Sequence, residues 1–129
     1  MVLSDLEAIV GACNVLSDPE ILDGYSRDMS FVPSMRPKCV IMPGDSDQVL
    51  ALVKWANEAR VALVPVSSGG PHFRGDTVPG TGGAVIVNLS RMKRITKIDR
   101  ENRVVMIEPG ITFGELALIR REDVERKTL

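Results

Sequence analysis

The chain has 129 residues, enough for a single domain with its own hydrophobic core and no need of disulfide bonds. Its 16 basic and 17 acidic residues give a net charge of -1, with no basic block or aromatic ladder, which argues against nucleic-acid binding. No apolar run approaches the roughly 20 residues that cross a bilayer, and Cys13 and Cys39 lack a disulfide-framework spacing, so we expect a cytoplasmic protein with reduced thiols and no direct membrane insertion.

The N-terminal part is predicted to form a helix and then an irregular arm. Ser4 and Glu7 stand in capping-box register, and an apolar face with Leu6, Val10 and Cys13 follows. The next stretch, "DPEILDGYSRDMSFVPSMRP", is rich in turn-forming residues and ends in proline. It reads as an arm laid over the body of the domain.

Two apolar runs around an amphipathic helix predict a βαβ unit. The run "KCVIM" favours a strand, "PGDSDQ" supplies a helix start, and the following helix carries Leu52 and Ala56 on one stripe. The run "VALVPV" is apolar throughout, as in a strand buried on both faces.

The second half adds strands, a hairpin and a short helix. The run "AVIVNL" predicts another buried strand, and "RITKID" with "VVMIEPG" predicts a hairpin around the polar turn "RENR". Thr112 and Glu115 form a second capping-box pair at the start of a last helix. Residues 120–129 form a densely charged tail with little to bury.

The stretch "VPVSSGGPHFRGDTVPGTGG", residues 64–83, holds six of the chain's eleven glycines, so neither a helix nor a regular strand can run through it. A P-loop is excluded because Asp76 occupies the place of the phosphate-binding lysine. A dinucleotide fingerprint is excluded because Pro79 and a strand follow the glycines instead of a helix.

The remaining type of phosphate site is a nest, in which backbone N–H groups from Ser67 to Gly70 surround a diphosphate. The Ser67 and Ser68 hydroxyls would be further donors. Glycine lets a ligand approach the backbone without obstruction by a Cβ atom. A purely structural turn is the alternative. With one histidine and two isolated cysteines, neither a zinc or iron site nor a Ser-His-Asp triad is expected.

The motifs "PVSSGGPH", "NLSRMKRI" and "EPGIT" follow one another in an order that resembles the start of the PCMH-type FAD-binding domain of the vanillyl-alcohol oxidase and p-cresol methylhydroxylase superfamily. The resemblance covers about residues 37–116 and is strongest to the FAD-linked subunit of glycolate oxidases and D-lactate dehydrogenases. It implies an α+β fold, the N-terminal α/β half of such a domain, in which a short βαβ unit precedes further strands and a hairpin with flanking helices.

The resemblance also implies FAD as the cofactor. The matching loop positions are the expected cofactor-binding residues: Val66, Ser67, Ser68, Gly69, Gly70, Pro71, His72 and Gly75. Some family members bond a loop histidine covalently to the flavin. That position aligns with Pro71 here, so we expect non-covalent FAD.

The resemblance divides the sequence into an N-terminal helix and arm (1–36), a partial FAD-binding domain (37–119) and the charged tail (120–129). Family members continue into a flavin-enclosing half and a catalytic cap domain, so we expect a truncated chain and assign it no catalytic residue. One hypothesis is an FAD-binding fragment or subunit of a 2-hydroxy-acid oxidoreductase, completed by a second subunit. The other is a non-catalytic remnant that does not bind FAD alone and self-associates through an uncovered β surface near "AVIVNL" and "VVMIEPG".

Overall fold

The computed structural model describes residues 2–67 and 69–119. This part of the chain forms four helices and six strands, with one 3-10 turn at Ala12–Asn14. In chain order they are α1 (Val2–Val10), β1 (Val15–Leu16), α2 (Pro19–Tyr25), β2 (Cys39–Ile41), α3 (Ser46–Ala59), β3 (Leu63–Val66), β4 (Val85–Asn88), β5 (Ile95–Asp99), β6 (Val104–Ile107) and α4 (Phe113–Ala117).

The main sheet has four strands in the order β1-β2-β4-β3. Strand β4 pairs in parallel with both β2 and β3, so that Ile86 lies between Val40 and Val64. Strand β1 closes the other edge in antiparallel orientation. The predicted α+β class is confirmed, and the parallel β2-α3-β3 unit forms with the later strand β4 inserted between its two strands.

Both faces of the sheet are covered, and successive buried side chains of a strand point to opposite faces. On one face Cys39 and Ile41 pack with Leu6 and Val10 of α1 and with Leu52 of α3. The opposite face is built from the intervening positions, as the two-residue period of a strand requires.

On the opposite face, Val40 and Ile86 pack with Leu22 of α2 and with Val66. Helix α2 lies within the stretch expected to be irregular. It begins where the Asp18 side chain accepts a hydrogen bond from the Glu20 amide, with proline at the first helical position. The remaining irregular segment, residues 26–38, is called the arm below.

Three local predictions are wrong. Helix α1 already begins at Val2, so Ser4 lies inside the helix, and α1 ends before Cys13, which is exposed. Strand β3 is not buried on both faces, since Val66 is its one buried residue and Pro65 is exposed. The physical reason is its place at the sheet edge, where a proline without an N–H group is tolerated.

Strands β5 and β6 form the predicted hairpin as a separate two-stranded sheet. All four residues of β6, Val104 to Ile107, are exposed, by 37% to 55%. Strand β4 is instead buried from Val85 to Val87. The expected uncovered surface therefore exists at "VVMI" but not at "AVIVNL". Helix α4 begins as predicted, with the Thr112 hydroxyl accepting from the Glu115 amide. The predicted tail, residues 120–129, lies outside the described residues.

The two cysteines are unpaired and lie in different environments. Cys13 is exposed, whereas Cys39 is fully buried in β2. Burial raises the pKa of the Cys39 thiol to about 11. Within residues 2–67 and 69–119, no helix has both the length and the apolar character needed to cross a membrane.

Helix α3 offers a direct test of the core. Leu52 is fully buried and Leu50, on the same helix, is 55% exposed. We expect Leu52→Ala to lower the free energy of unfolding by about 2 to 5 kcal/mol, because the deletion leaves a cavity between α3 and the sheet. Leu50→Ala is the matched control and is expected to change it by no more than about 0.5 kcal/mol. Urea denaturation followed by circular dichroism measures both, and equal losses would contradict the assigned packing of α3.

Candidate functional site

The glycine-rich stretch leaves the sheet where its parallel strands end. Strands β2, β4 and β3 run in the same direction and end at Ile41, Asn88 and Val66. In open sheets with parallel strands, ligands bind outside the carboxyl ends of the strands. The segment from 67 to 83, called the glycine loop below, starts at this edge.

The first turn of the glycine loop presents bare backbone. A Cβ atom placed at Gly69 would meet no other atom within 4 Å, and at Gly70 the nearest atoms would be those of His72 at 3.9 Å. Among the hydrogen bonds of the described residues, none has the amide of Ser67, Gly69 or Gly70 as its donor. Three backbone donors of the loop therefore have no acceptor within the described part of the chain. Ser68 lies outside the described residues.

A hollow of about 310 Å³ lies at the start of the glycine loop. Four of the predicted site residues line it, namely Val66, Ser67, Pro71 and His72. Gly69, Gly70 and Gly75 are not part of its lining. The other lining residues are Pro65, Phe73, Arg74, Asp76 and Thr77.

Arg74 was not singled out by the sequence reasoning. It is exposed, and it forms no ion pair with any described residue. A guanidinium carries five N–H donors in a planar fork suited to phosphate oxygens. A cation inside the glycine-rich stretch was the signal that could have identified it. Asp76 lines the same hollow and carries a negative charge, opposite to that of Arg74.

The arm holds the far end of the glycine loop. The Gly75 amide donates to Asp28 Oδ2 over 2.6 Å, and the Ser30 amide donates to Asp28 Oδ1 over 2.8 Å. The Met29 amide donates to the His72 carbonyl over 2.9 Å. The Ser30 hydroxyl bond, with the Ser30 and Gly75 amides and the nearby His72 charge, lowers the pKa of the Asp28 carboxyl from its ordinary value.

Gly75 has a different role from the glycines at the start of the loop. Its φ is +76°, which L side chains rarely adopt, and a Cβ atom there would lie 2.2 Å from Val32 Cγ2. Its N–H group is used by Asp28. Gly75 thus allows the loop and the arm to pack closely.

A polar pair closes the same sheet edge. Asn88, the last residue of β4, donates from Nδ2 to the Tyr25 hydroxyl over 2.8 Å and accepts from the Ser90 amide at Oδ1. The Tyr25 ring packs against the core cluster of Val40 and Ile86. Tyr25 covers the core and anchors the end of α2 to β4.

The arrangement is suited to holding an anion. The Ser67 hydroxyl and the Arg74 guanidinium belong to residues that line the hollow, and the Gly69 and Gly70 amides nearby in the loop donate to no described residue. Several charge-assisted hydrogen bonds can offset the burial of phosphate charge. No cluster of histidine, cysteine or acidic side chains within the described ranges could hold a metal ion.

The sequence of residues 37–122 matches the profile of a protein family described as FAD binding domain. A relative from Chondromyces crocatus, 1'-carboxy-chondrochloren decarboxylase, is 34% identical over 88% of this chain. The D-lactate dehydrogenase of Anaerostipes hadrus is 31% identical over 89% of it, and the glycolate oxidase subunit GlcD of Bacillus subtilis is 33% identical over 67%.

The same likeness holds in three dimensions. A crystal structure of p-cresol methylhydroxylase with substrate bound superposes on 89% of the chain with a TM-score of 0.79 and 31% identity. The chain covers 23% of that structure and 21%, 23% and 18% of the three relatives' own lengths. It therefore spans about a fifth to a quarter of proteins of this kind.

The contact between the loop and the arm can be tested at Gly75. We expect Gly75→Ala to destabilise the protein by about 1 to 2 kcal/mol from its backbone conformation alone, and by more through the clash with Val32. Adding Val32→Ala removes the nearest clashing atom, so the double variant should lose less stability than the two single variants summed. Chemical denaturation measures all three.

Gly80→Ala is the control, because Gly80 lacks a positive φ and a Cβ atom there would meet nothing within 4 Å. It should unfold like the unaltered protein. Strict additivity of Gly75→Ala and Val32→Ala would show that the two positions do not touch.

Proposed function

Because this chain belongs to the FAD binding domain family, we propose that its glycine loop binds the diphosphate of FAD and that it serves as the cofactor-binding part of a flavin-dependent oxidoreductase. The observation that carries this proposal is the set of amides at Ser67, Gly69 and Gly70 that donate to no described residue, next to a hollow lined by Ser67 and Arg74. When bound, FAD supplies the redox chemistry, and the protein supplies binding and orientation.

The proposed contacts divide by chemistry. The amides of Gly69 and Gly70 and the hydroxyls of Ser67 and Ser68 donate to phosphate oxygens, each charge-assisted bond contributing about 1.5 to 3 kcal/mol. Arg74 adds the positive charge that a P-loop takes from its lysine. Val66, Pro71 and His72 shape the hollow, while Gly75 acts through the arm.

Non-covalent attachment is part of the proposal. Pro71, which stands where some family members carry a flavin-linked histidine, has no nucleophilic atom. The neighbouring His72 is partly buried, and its carbonyl is held by the Met29 amide. The proposal of non-covalent attachment therefore rests on Pro71, and the backbone of His72 helps to position the loop.

The proposed substrate class of the whole protein is a 2-hydroxy acid, and the support for it is the similarity to a D-lactate dehydrogenase and a glycolate oxidase subunit. No catalytic residue is proposed within this chain. A second subunit that completes the flavin site is part of this proposal. We also propose a cytoplasmic location, which the unpaired Cys13 and Cys39 thiols support.

The primary test is titration of the purified chain with FAD, followed by calorimetry and visible absorbance. We expect a dissociation constant below the millimolar range. Gly70→Val should weaken FAD binding by about tenfold or more, corresponding to at least one lost phosphate contact. It should leave stability nearly unchanged, since the space around Gly70 is open.

The control is Gly82→Val, a glycine of the same loop with similarly open surroundings that lies outside the proposed nest of residues 67–70. Its FAD affinity should equal that of the unaltered chain. Equal losses of stability and affinity in Gly70→Val would instead favour a purely structural turn, the alternative to a ligand nest.

A second candidate function is self-association. The observation that favours it is the apolar strand β6, whose side chains from Val104 to Ile107 are all exposed. An exposed apolar strand is a common site of association, and its edge offers further backbone hydrogen bonds. Such a protein would be a non-catalytic interaction module that no longer binds FAD alone.

This candidate predicts a concentration-dependent dimer in sedimentation velocity. Met106→Lys should abolish the dimer, because a charge replaces an apolar side chain in the contact. Leu50→Lys is the matched control, since both residues are 55% exposed and Leu50 lies on α3. A protein that stays monomeric at high concentration would contradict self-association and leave the FAD proposal unaffected.

A further inference from the structure

We infer that Asp28 is a positioning residue for the diphosphate site, although it lies in the arm and outside the family match at residues 37–122. This inference rests on the proposed function and deepens it. In it, the arm sets the conformation of the glycine loop from outside, and Asp28 makes the main connection. The cofactor site is then built from two stretches of chain that are distant in sequence.

The contacts of Asp28 show this division of labour between its two oxygens. Oδ1 accepts from the Ser30 amide over 2.8 Å and from the Ser30 hydroxyl, which fixes the carboxylate within the arm. Oδ2 accepts from the Gly75 amide over 2.6 Å, across 47 residues of sequence. One oxygen thus holds the side chain in place and the other holds the loop.

A second hydrogen bond anchors the loop three residues earlier. The Met29 amide donates to the His72 carbonyl over 2.9 Å. The two anchored residues, His72 and Gly75, bracket Phe73 and Arg74, and both bracketed side chains line the hollow. Fixing the backbone on either side of Arg74 fixes where its guanidinium can reach.

Close packing makes the attachment rigid. Val32 of the arm occupies the space that a side chain at Gly75 would need, since its Cγ2 lies 2.2 Å from the position of a Cβ atom there. The loop cannot shift toward the arm without a clash, and the hydrogen bond to Asp28 opposes its movement away. Hydrogen bonding and packing therefore act on the same residue from opposite directions.

Because Asp28 is negatively charged, the direction in which FAD affinity changes when that charge is removed distinguishes two accounts of its role. A carboxylate held against a loop that binds phosphate should repel the ligand if charge alone mattered. Removing that charge would then strengthen FAD binding. If Asp28 instead positions the loop, removing its second acceptor oxygen should weaken FAD binding. The two accounts predict opposite changes in one measurement.

Asp28→Asn is the test variant, because asparagine keeps one oxygen for Ser30 and turns an NH₂ group toward the Gly75 amide, where two donors cannot bond. We expect hydrogen exchange at the Gly75 amide, without FAD, to quicken by about tenfold while β4 is unchanged. We expect FAD affinity to fall by about tenfold as well. The matched control is Asp99→Asn, since Asp99 is also a hydrogen-bonded carboxylate but its partner is Asn102 in the turn between β5 and β6; it should stay close to the unaltered chain in both.

Unchanged exchange at Gly75, exchange that quickens equally in β4, or FAD affinity that rises or stays the same in Asp28→Asn would each overturn the inference. If that variant does not fold, Asp28→Glu replaces it. Glutamate keeps the charge but moves the carboxylate by one methylene, and it should loosen Gly75 and weaken FAD binding in the same direction. Failure of the unaltered chain to bind FAD would count against the proposed function, while the exchange data still decide whether Asp28 holds the loop.

Discussion

The parallel pairing of β4 between β2 and β3 is the constraint on which the rest of the structure depends. Val85, Ile86 and Val87 are buried because helices cover both faces of the sheet at this strand. Parallel pairing brings the carboxyl ends of the three strands to one edge. The glycine loop, the Tyr25–Asn88 pair and the hollow all lie at that edge because β4 fixes its position.

Phosphate recognition here would depend on the backbone more than on side-chain charge. The glycines of the loop contribute in two distinct ways. Gly69 and Gly70 have open space where a side chain would stand, whereas Gly75 adopts a positive φ and packs against the arm. A glycine-rich sequence can thus combine access for a ligand with close packing of the protein against itself. The first property suits binding and the second suits rigidity.

Local signals made part of the fold predictable. Apolar runs predicted β2 and β4, and the Thr112 cap predicted the start of α4. Helix α2 was not predicted, although Asp18 and Pro19 form an ordinary helix start. The many turn-forming residues in the same stretch favoured an irregular segment instead. The exposure of β3 could not be predicted, since strand order is a tertiary property. The same is true of Asp28, whose partner Gly75 is 47 residues away.

The two thiols give the protein an internal reporter of its own folding. A maleimide reagent reaches Cys13 on the surface, whereas Cys39 is enclosed in the sheet and its raised pKa keeps it protonated at neutral pH. One label per molecule marks the native chain and two mark an opened one. Mass spectrometry can therefore count open molecules in a mixture without any cofactor, dye or antibody.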